Sequence, residues 1–529
     1  MHLIRSETTN SSDSSAVNSH IDEYEEEECV DQLFFITSYT DFDKLAHGPR
    51  GTEANQSIYI YRFQPSDGSM LLLNKVGKKE EVINPAFTRF HPRLDVVYTC
   101  TESCHEHGKI IAYKINTDGS LDEMGREDAG GTSTCYLTID HNQRNILAVN
   151  YWNSTLSVIP IHPFTGNFEG PPHSIYDPKE GEGIKAAPKK DGGVNHSHND
   201  ENTIKARQAD PHSHALVLDR YVGAVAYVPD LGKDLIREFY YNKKTASIDM
   251  EIGFMPSGLC SGHPDGPRYF EFHPRFDIAY VVNELSSTVA VFSVDRKLLQ
   301  EIDIAANKNE CLDRFKGRTT LTLIQSIKTV PSAFSTTMNT CGRICVHKNG
   351  RFVIVSNRGH ESLAIFRVKS SGPQRGQLSI VGYFHTRGET PRHFQFDSSG
   401  QFLIVANQDT DSISVFTFNM SSGEIKFTGN EYRVPSPNFV CSCPIRGVDN
   451  AMASIHPAYN GVISVQGVNN AMRSENRMVE SDLEESDGST MSVDDAKVLQ
   501  NQLQEALQQV EDLKLKITRM NRGAAVLKD

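Results

Sequence analysis

The stretch GPRYFEFHPRFDIAYVVNELSSTVAVFSVD at 266–295 is written again elsewhere in the chain, and that repetition constrains the fold more than any single residue. An alternating apolar run ends in a His-Pro or Asp turn, a second run ends in a polar pair, and a third follows a short turn. Period-two alternation between turn residues predicts strand, turn, strand, turn, strand. Two copies are nearly undisguised: RICVHKNGRFVIVSNRGHESLAIFRV from Arg343, and PRHFQFDSSGQFLIVANQDTDSISVFTFN from Pro391. Four weaker copies come earlier: LFFITSYT with QSIYIYRF and SMLLLNKV, PAFTRFHPRLDVVYTCTE with KIIAYKI, CYLTIDHNQRNILAVNYWNSTLSVIPI, and HALVLDRYVGAVAYVPDLGKDLIREFYY. The count is seven.

The turn residues after the first strand, His91, Asp140, Asp219, His273, His347 and Asp397, are separated by 49, 79, 54, 74 and 50 residues. A period of about 50 suits a four-stranded blade, with two units enlarged by insertions at 170–210 and 300–335. No such unit buries both faces alone, whereas seven packed radially do. The expected fold is therefore all-β, a seven-bladed β-propeller over 31–445. LFFITSYT is expected to complete the last blade near Tyr432–Cys441, closing the ring and removing its free edge.

Outside the repeats the composition changes. Residues 1–30, with DEYEEEE at 22–28, read as a disordered acidic tail, and 446–494 as an acidic linker. From 495 to 523 a different period appears: Ala496, Leu499, Leu503, Ala506, Val510, Leu513, Ile517 and Met520 alternate steps of 3 and 4. This heptad seam predicts a coiled-coil helix ended by Gly523. It would pair through 496–520 with a second copy or a partner helix, the alternative being a lone helix docked on the propeller.

Much of the net charge of -14 lies in those acidic tracts, and the sum argues against nucleic acid as a partner. No stretch approaches a membrane span, and MHLIRSETTNSSDSSAVNSH has no apolar leader core, so the expected location is cytoplasmic. The ten cysteines lack paired CxxC spacing and are expected as reduced, structural thiols.

Strands alternate direction within a blade, so the residue before the first strand and the residue ending the second share one rim. The first position gives Ala86, Cys135, His214, Arg268, Gly342 and Arg392. The second gives the pairs Thr101-Glu102, Asn150-Tyr151, Pro229-Asp230, Asn283-Glu284, Asn357-Arg358 and Asn407-Gln408. Strand interiors repeat Val, Ile, Phe, Ala and Tyr in every copy, whereas these rim positions differ. A water-filled channel tolerates any polar residue there. Several Arg converging with a His and a Glu is, however, what anion recognition beside acid–base chemistry requires. His196, His198, His212 and His214 form HxH pairs without the remaining ligands of a metal site, so no metal is expected, and no cofactor. No GxSxG elbow, P-loop or HExxH is present.

With RQADPHSHALVLD, AYVPDLG, GPRYFEFHP, AYVVNELSSTVAVF, VIVSNRGHESLAIF and ETPRHFQFDSSGQFLIVANQDTDSISVF, the chain resembles the seven-bladed lactonase family. That family includes the propeller-type 6-phosphogluconolactonases and the fungal carboxymuconate cyclases. The resemblance covers roughly residues 33–443 and implies the same propeller. It places the family's active-site residues on His214, Arg268, Glu284 and Arg358, with Arg207, Gln208, His212, His360, Arg392 and His393 in the same motifs. Together with the rim residues Asn283 and Gln408, the expected substrate-binding set is Arg207, His212, Asn283, His360, Arg392, His393 and Gln408. The activity implied is hydrolysis of an anionic sugar lactone, foremost 6-phosphogluconolactone. Glu284 or His214 would be the base, Arg268 and Arg358 would meet the oxyanion or the anionic group, and Arg392 would take phosphate. Two alternatives stand beside it: carboxymuconate cycloisomerisation, and a non-catalytic platform oligomerised by the coil. The NYWNST segment, with bulky Trp152, departs from the Gly-rich turn usual in the family.

Overall fold

The computed structural model describes residues 32–178, 201–259 and 263–444. The acidic tail, the linker, the heptad segment, His196 and His198 lie outside the described residues.

Seven four-stranded antiparallel sheets form a β-propeller. Blade 2 consists of Pro85–Phe90, Val96–Thr101, His107–Ile115 and Leu121–Thr132; blade 3 of Thr134–Ile139, Asn145–Asn150, Thr155–Pro160 and Ser174–Tyr176. Blade 4 has Val217–Leu218, Val225–Asp230, Leu235–Asn242 and Ser247–Pro256; blade 5 has Pro267–Phe272, Ile278–Asn283, Thr288–Val294 and Leu321–Lys328. Blade 6 comprises Thr340–Val346, Phe352–Arg358, Ser362–Val368 and Leu378–His385; blade 7 comprises Pro391–Phe396, Phe402–Asn407, Ser412–Phe418 and Ile425–Arg433. Second strands such as VIVSN and LIVAN are buried on both faces, which is why they read as nearly continuous apolar runs.

Ring closure runs opposite to the expectation. Blade 7 is complete from its own residues, and the last strand, Pro437–Pro444, becomes the inner strand of blade 1 beside Gln32–Ser38, Gln56–Gln64 and Ser69–Lys78. Phe35 lies opposite Cys441 in this pairing. The two ends of the repeat region thus share one sheet, so the strand Gln32–Ser38 is paired on both sides.

The alternation of His and Asp at the turn markers has a chemical reason. The Asp219 carboxylate accepts backbone N–H groups of Tyr221, Val222, Ala224 and Val225 at 2.7–3.0 Å. His273 does similar work through Nδ1, which accepts from Arg275 and Phe276 at 3.0 and 2.9 Å. Burial pulls His273 down to about 4, so its imidazole is neutral, and Nε2 meets the Gly350 carbonyl of the next blade at 2.8 Å.

The two long units are not pure insertions. The first contains blade 3's outer strand and helix α1, Glu201–Gln208. The second contains helix α2, Arg296–Asn307, and then blade 5's outer strand. Asp295 caps α2 by accepting the Leu298 N–H at 3.0 Å, and Leu298, Leu299, Ile302 and Ala305 are buried in the cluster that holds Phe270 and Phe292. The eight described cysteines are free thiols, and all but Cys311 are buried or half-buried. Among the described residues no helix is long and apolar enough to cross a membrane.

Candidate active site

A register shift near the start of the inner strand recurs around the ring. It falls at Pro85/Phe87, Thr134/Tyr136, Pro267/Tyr269, Cys341/Ile344 and Pro391/His393, with a matching irregularity in blade 1 at Thr37/Ser38. A bulge re-aims the extra side chain. The residues skipped are Ala86, Cys135, Arg268, Gly342 with Arg343, Arg392 and, in blade 1, Asn438. Blade 4 has instead an isolated Ser213–Asp230 bridge, with His214 following it. The sequence positions chosen before the first strand are therefore the bulged ones, and small Ala86 and Gly342 leave room for longer neighbours.

A second ring follows the second strands. Backbone N–H groups of Tyr39, Glu102, Tyr151, Leu231, Glu284 and Gln408 each donate to the carbonyl that precedes the inner strand, at 2.7–3.2 Å. Arg358 holds the same place in blade 6. Blade 4 thus presents Leu231 rather than the expected Asp230. Asp230 pairs with Ser213 and Leu235, and its carboxylate accepts the His212 and Gly232 N–H groups at 2.8 and 3.1 Å. Tyr39 and Asn438 escaped the repeat reading because blade 1 is assembled from opposite ends of the sequence.

One step before that ring, asparagine recurs with a fixed task. Nδ2 of Asn150, Asn283, Asn357 and Asn407 donates to the carbonyls of Ala129, Ser257, Thr329 and Thr386 at 2.7–3.1 Å. Each also reaches a hydroxyl of the third strand, Thr288 at 3.0 Å in the case of Asn283. Asn283, expected to bind substrate, is one of these clasps, and its amide nitrogen serves the blade.

Glu284 is the hub of the mouth. Its Oε1 lies 2.8 Å from Arg207 Nη1 and 2.9 Å from Arg358 Nη2, and its Oε2 lies 2.9 Å from Arg268 Nε. The Glu284 side chain is 3 % exposed. The Gly266 turn that presents it has φ +63, and a Cβ there would sit 2.5 Å from Leu285 Cγ. Arg268 also donates through Nη1 to the Gly342 carbonyl at 2.9 Å, and Arg358 through Nη2 to that of Cys341 at 2.7 Å. A Cβ on Gly342 would lie 2.6 Å from Ser356 Oγ and 2.8 Å from the Arg392 carbonyl, so this approach requires glycine. Arg207 comes from α1, outside the repeats, and hydrogen-bonds the Tyr151 phenol.

Burial pushes the Glu284 carboxyl upward, but Arg207, Arg358 and Arg268 overcome it and hold the group well below the usual carboxylate range. Burial, aided by the other guanidinium groups, pulls Arg358 down to about 10, which leaves it charged at neutral pH. Three cations around one anion leave an excess of positive charge. They also leave donors over: Nε of Arg207 and of Arg358, neither of which is the atom that meets Glu284, is buried with no hydrogen-bond acceptor among the described residues. Arg392, partly exposed, lies with its Cζ 5.2 Å from the centre of the Tyr39 ring. Guanidinium N–H groups left over in this way suit a carboxylate, a phosphate or a developing oxyanion.

His214 stands beside this cluster. Its ring packs edge-on against Tyr151 and Tyr269 at 5.3 and 5.5 Å, and Nδ1 is 3.9 Å from Cys135 Sγ. Burial, reinforced by Arg268, drops it well below its ordinary value, so it is a neutral imidazole. His212 stacks on Tyr151 at 4.8 Å and 14°, with Trp152 tilted against it at 5.5 Å. The remaining expected residues are held elsewhere. His360 pairs with Ser362 Oγ at 2.7 Å and packs on Phe334, and His393 accepts the Val440 N–H at 3.2 Å and packs on Phe439 at 3.9 Å. Gln408 donates to Asp409 Oδ1 at 3.0 Å, with its buried Oε1 unmatched among the described residues. Gln208 donates to Asp234 Oδ1 at 3.1 Å. Among the described residues no cluster of metal-ligating side chains occurs.

The profile of the family described as lactonase, 7-bladed beta-propeller, matches residues 34–442. A 6-phosphogluconolactonase of Formosa agariphila is 26% identical over 400 residues, covering 74% of this chain and 94% of that protein. One of Bacillus subtilis is 26% identical over 387 residues, covering 72% and 92%. Among solved structures, the periplasmic gluconolactonase PpgL of Pseudomonas aeruginosa superposes with a TM-score of 0.61 at 22% identity, over 79% of this chain and all of that one. The match spans the whole seven-bladed ring of four-stranded sheets, and the chain belongs to the seven-bladed β-propeller lactonase family.

Proposed function

We propose that this chain hydrolyses a sugar lactone at the mouth around Glu284, and that the substrate is phosphorylated, with 6-phosphogluconolactone the foremost candidate. The observation that carries the reading is the surplus of guanidinium donors over the single Glu284 carboxylate. Hydrolysis needs a base for water, donors for the tetrahedral oxyanion and a clamp for the substrate. Both candidate bases are held below their ordinary values, Glu284 by its guanidinium partners and His214 by burial, but both Glu284 oxygens are engaged in ion pairs, whereas neutral His214 makes none among the described residues and keeps a lone pair available. His214 takes the water proton, Arg268 and Arg358 meet the oxyanion, and Arg392 holds the phosphate. Glu284 keeps three like charges together in a buried place. A general base contributes about 10² to 10⁴ in rate, and one oxyanion donor about 10² to 10³.

The test is lactone opening by the purified full chain, with phosphorylated and unphosphorylated substrates compared and carboxymuconolactone formation from carboxymuconate assayed in parallel. Arg358→Ala and His214→Ala are each expected to lose at least about 10²-fold in kcat/KM. A wild-type rate no faster than spontaneous opening overturns the reading, and turnover of carboxymuconate alone replaces it with cycloisomerisation.

A further inference from the structure

Two glutamates occupy the same repeat position three blades apart, Glu284 in blade 5 and Glu102 in blade 2, and their surroundings are opposite. Both take the ring position through the same backbone bond, Glu284 N to Gly266 O at 2.7 Å and Glu102 N to Asn84 O at 2.8 Å. Glu284 is ringed by three guanidinium groups. Glu102, also buried, receives the Tyr39 hydroxyl on Oε2 at 3.0 Å and forms no ion pair among the described residues. Tyr39 is fixed in turn, with its ring against His47 at 5.1 Å and Arg392 over its face.

The charged and titratable groups facing Glu102 come from several blades: Tyr39 from blade 1, Arg392 from blade 7, Arg268 from blade 5, and the thiols of Cys100 and Cys135. Burial raises both thiols, so they stay neutral. Burial likewise raises Glu102, with Arg392, the Tyr39 hydrogen bond and Arg268 only tempering it. Two carboxyl groups pushed in opposite directions within one site are how a fold separates a fixed anion from a proton donor.

The lactone reading above leaves one step unassigned. When the tetrahedral intermediate collapses, the bond between the carbonyl carbon and the ring oxygen breaks. The electron pair departs on that oxygen as a strongly basic alkoxide. We infer that Glu102 gives the departing ring oxygen its proton, with Tyr39 as the residue that positions it; the inference rests on the lactone reading. The balance closes within the site. Water adds its oxygen to the carbonyl carbon and loses one proton to His214. The ring oxygen gains a proton from Glu102. The imidazolium proton returns through water to the Glu102 carboxylate. Net, one lactone and one water become one hydroxy acid.

The experiment compares leaving groups. Wild type, Glu102→Gln and Tyr39→Phe are assayed on 6-phosphogluconolactone, on unphosphorylated gluconolactone and on the corresponding thiolactone, whose thiolate departs without a proton. Glu102→Gln is expected to lose about 10²-fold or more in kcat on the oxygen lactones and less than about 10-fold on the thiolactone. Tyr39→Phe should lower kcat on oxygen lactones by a smaller factor and shift its pH profile, with KM little changed. Infrared difference spectra of wild type against Glu102→Gln should contain a protonated carboxyl stretch at neutral pH, a readout independent of turnover. Equal losses on both kinds of lactone, no loss at all, or no protonated carboxyl in the wild type would overturn the inference alone. A wild type inert toward every lactone overturns the lactone reading and this inference with it.

Discussion

Two charge clusters share the same face of the propeller, and they are built in opposite senses. At the centre, Arg207, Arg268 and Arg358 surround Glu284, with cations in excess. At the periphery, Arg50 lies 3.1 Å from both Asp409 and Glu389, and Glu361 acts on the same group of charges, with anions in excess. In the first cluster the carboxyl is held far below its usual range. In the second, burial first and then the Glu389 and Asp409 charges push Glu361 up to about 7. The minority charge is satisfied in each, and the majority charge is left wanting a partner. Of the two, the central cluster combines that need with burial, which is the property the proposed anionic substrate would use.

The comparison predicts opposite signs for removing a glutamate from each cluster. Glu284→Ala leaves three buried guanidinium groups facing one another, a loss of about 3–5 kcal/mol of stability by urea unfolding at pH 7. Glu284→Gln, which keeps the volume and one acceptor, should lose less. A variant as stable as wild type would mean that water or bound anions already neutralise the arginines.

Glu361→Gln should act the other way above neutrality. In the native state Glu361 holds its proton up to about pH 7, whereas an unfolded glutamate releases it near 4.5. Between those values the folded chain binds more protons, so its stability falls as pH rises, by roughly 2 kcal/mol after allowing for partial exposure. The glutamine cannot ionise, but it gives up one of the acceptors for Thr390 and Gly359 N–H. The two stability curves, measured from pH 5 to 8, should therefore cross, the variant weaker at 5 and stronger at 8. Parallel curves would place the titration elsewhere.

How much of this was legible in the sequence follows from what repeats. The propeller was readable because each blade restates a period-two pattern between turn acceptors, and His273 and Asp219 are interchangeable as acceptors. The rim was readable because Glu284, Arg358 and Tyr151 occupy one position with different chemistry. Asn283 was grouped with its rim neighbour Glu284, although its recurrence as Asn150, Asn357 and Asn407 already marked its amide nitrogen as a clasp of the blade. Blade 1 was the blind spot. Tyr39 and Asn438 stand 399 positions apart and share a blade only because Pro437–Pro444 pairs with Gln32–Ser38. Reading the end of LFFITSYT as a seventh rim position would have supplied Tyr39, and with it the partner of Glu102.

The smallest effect sharpens the comparison most. Arg50 is the peripheral counterpart of Glu284, the lone minority charge in its cluster, but its side chain is 48% exposed. Water can replace it, so Arg50→Ala should cost well under 1 kcal/mol at pH 6, where Glu361 is still protonated. At pH 8, with Glu361 ionised, the same substitution should cost more, and Glu361 should titrate higher than in wild type. Added salt should shrink the difference between the two pH values, because exposed charges are screened while the buried Glu284 contacts are not. If Arg50→Ala costs as much as Glu284→Ala at every pH and salt concentration, charge imbalance alone governs both clusters. Burial would then have lost its place as the property that sets the centre apart.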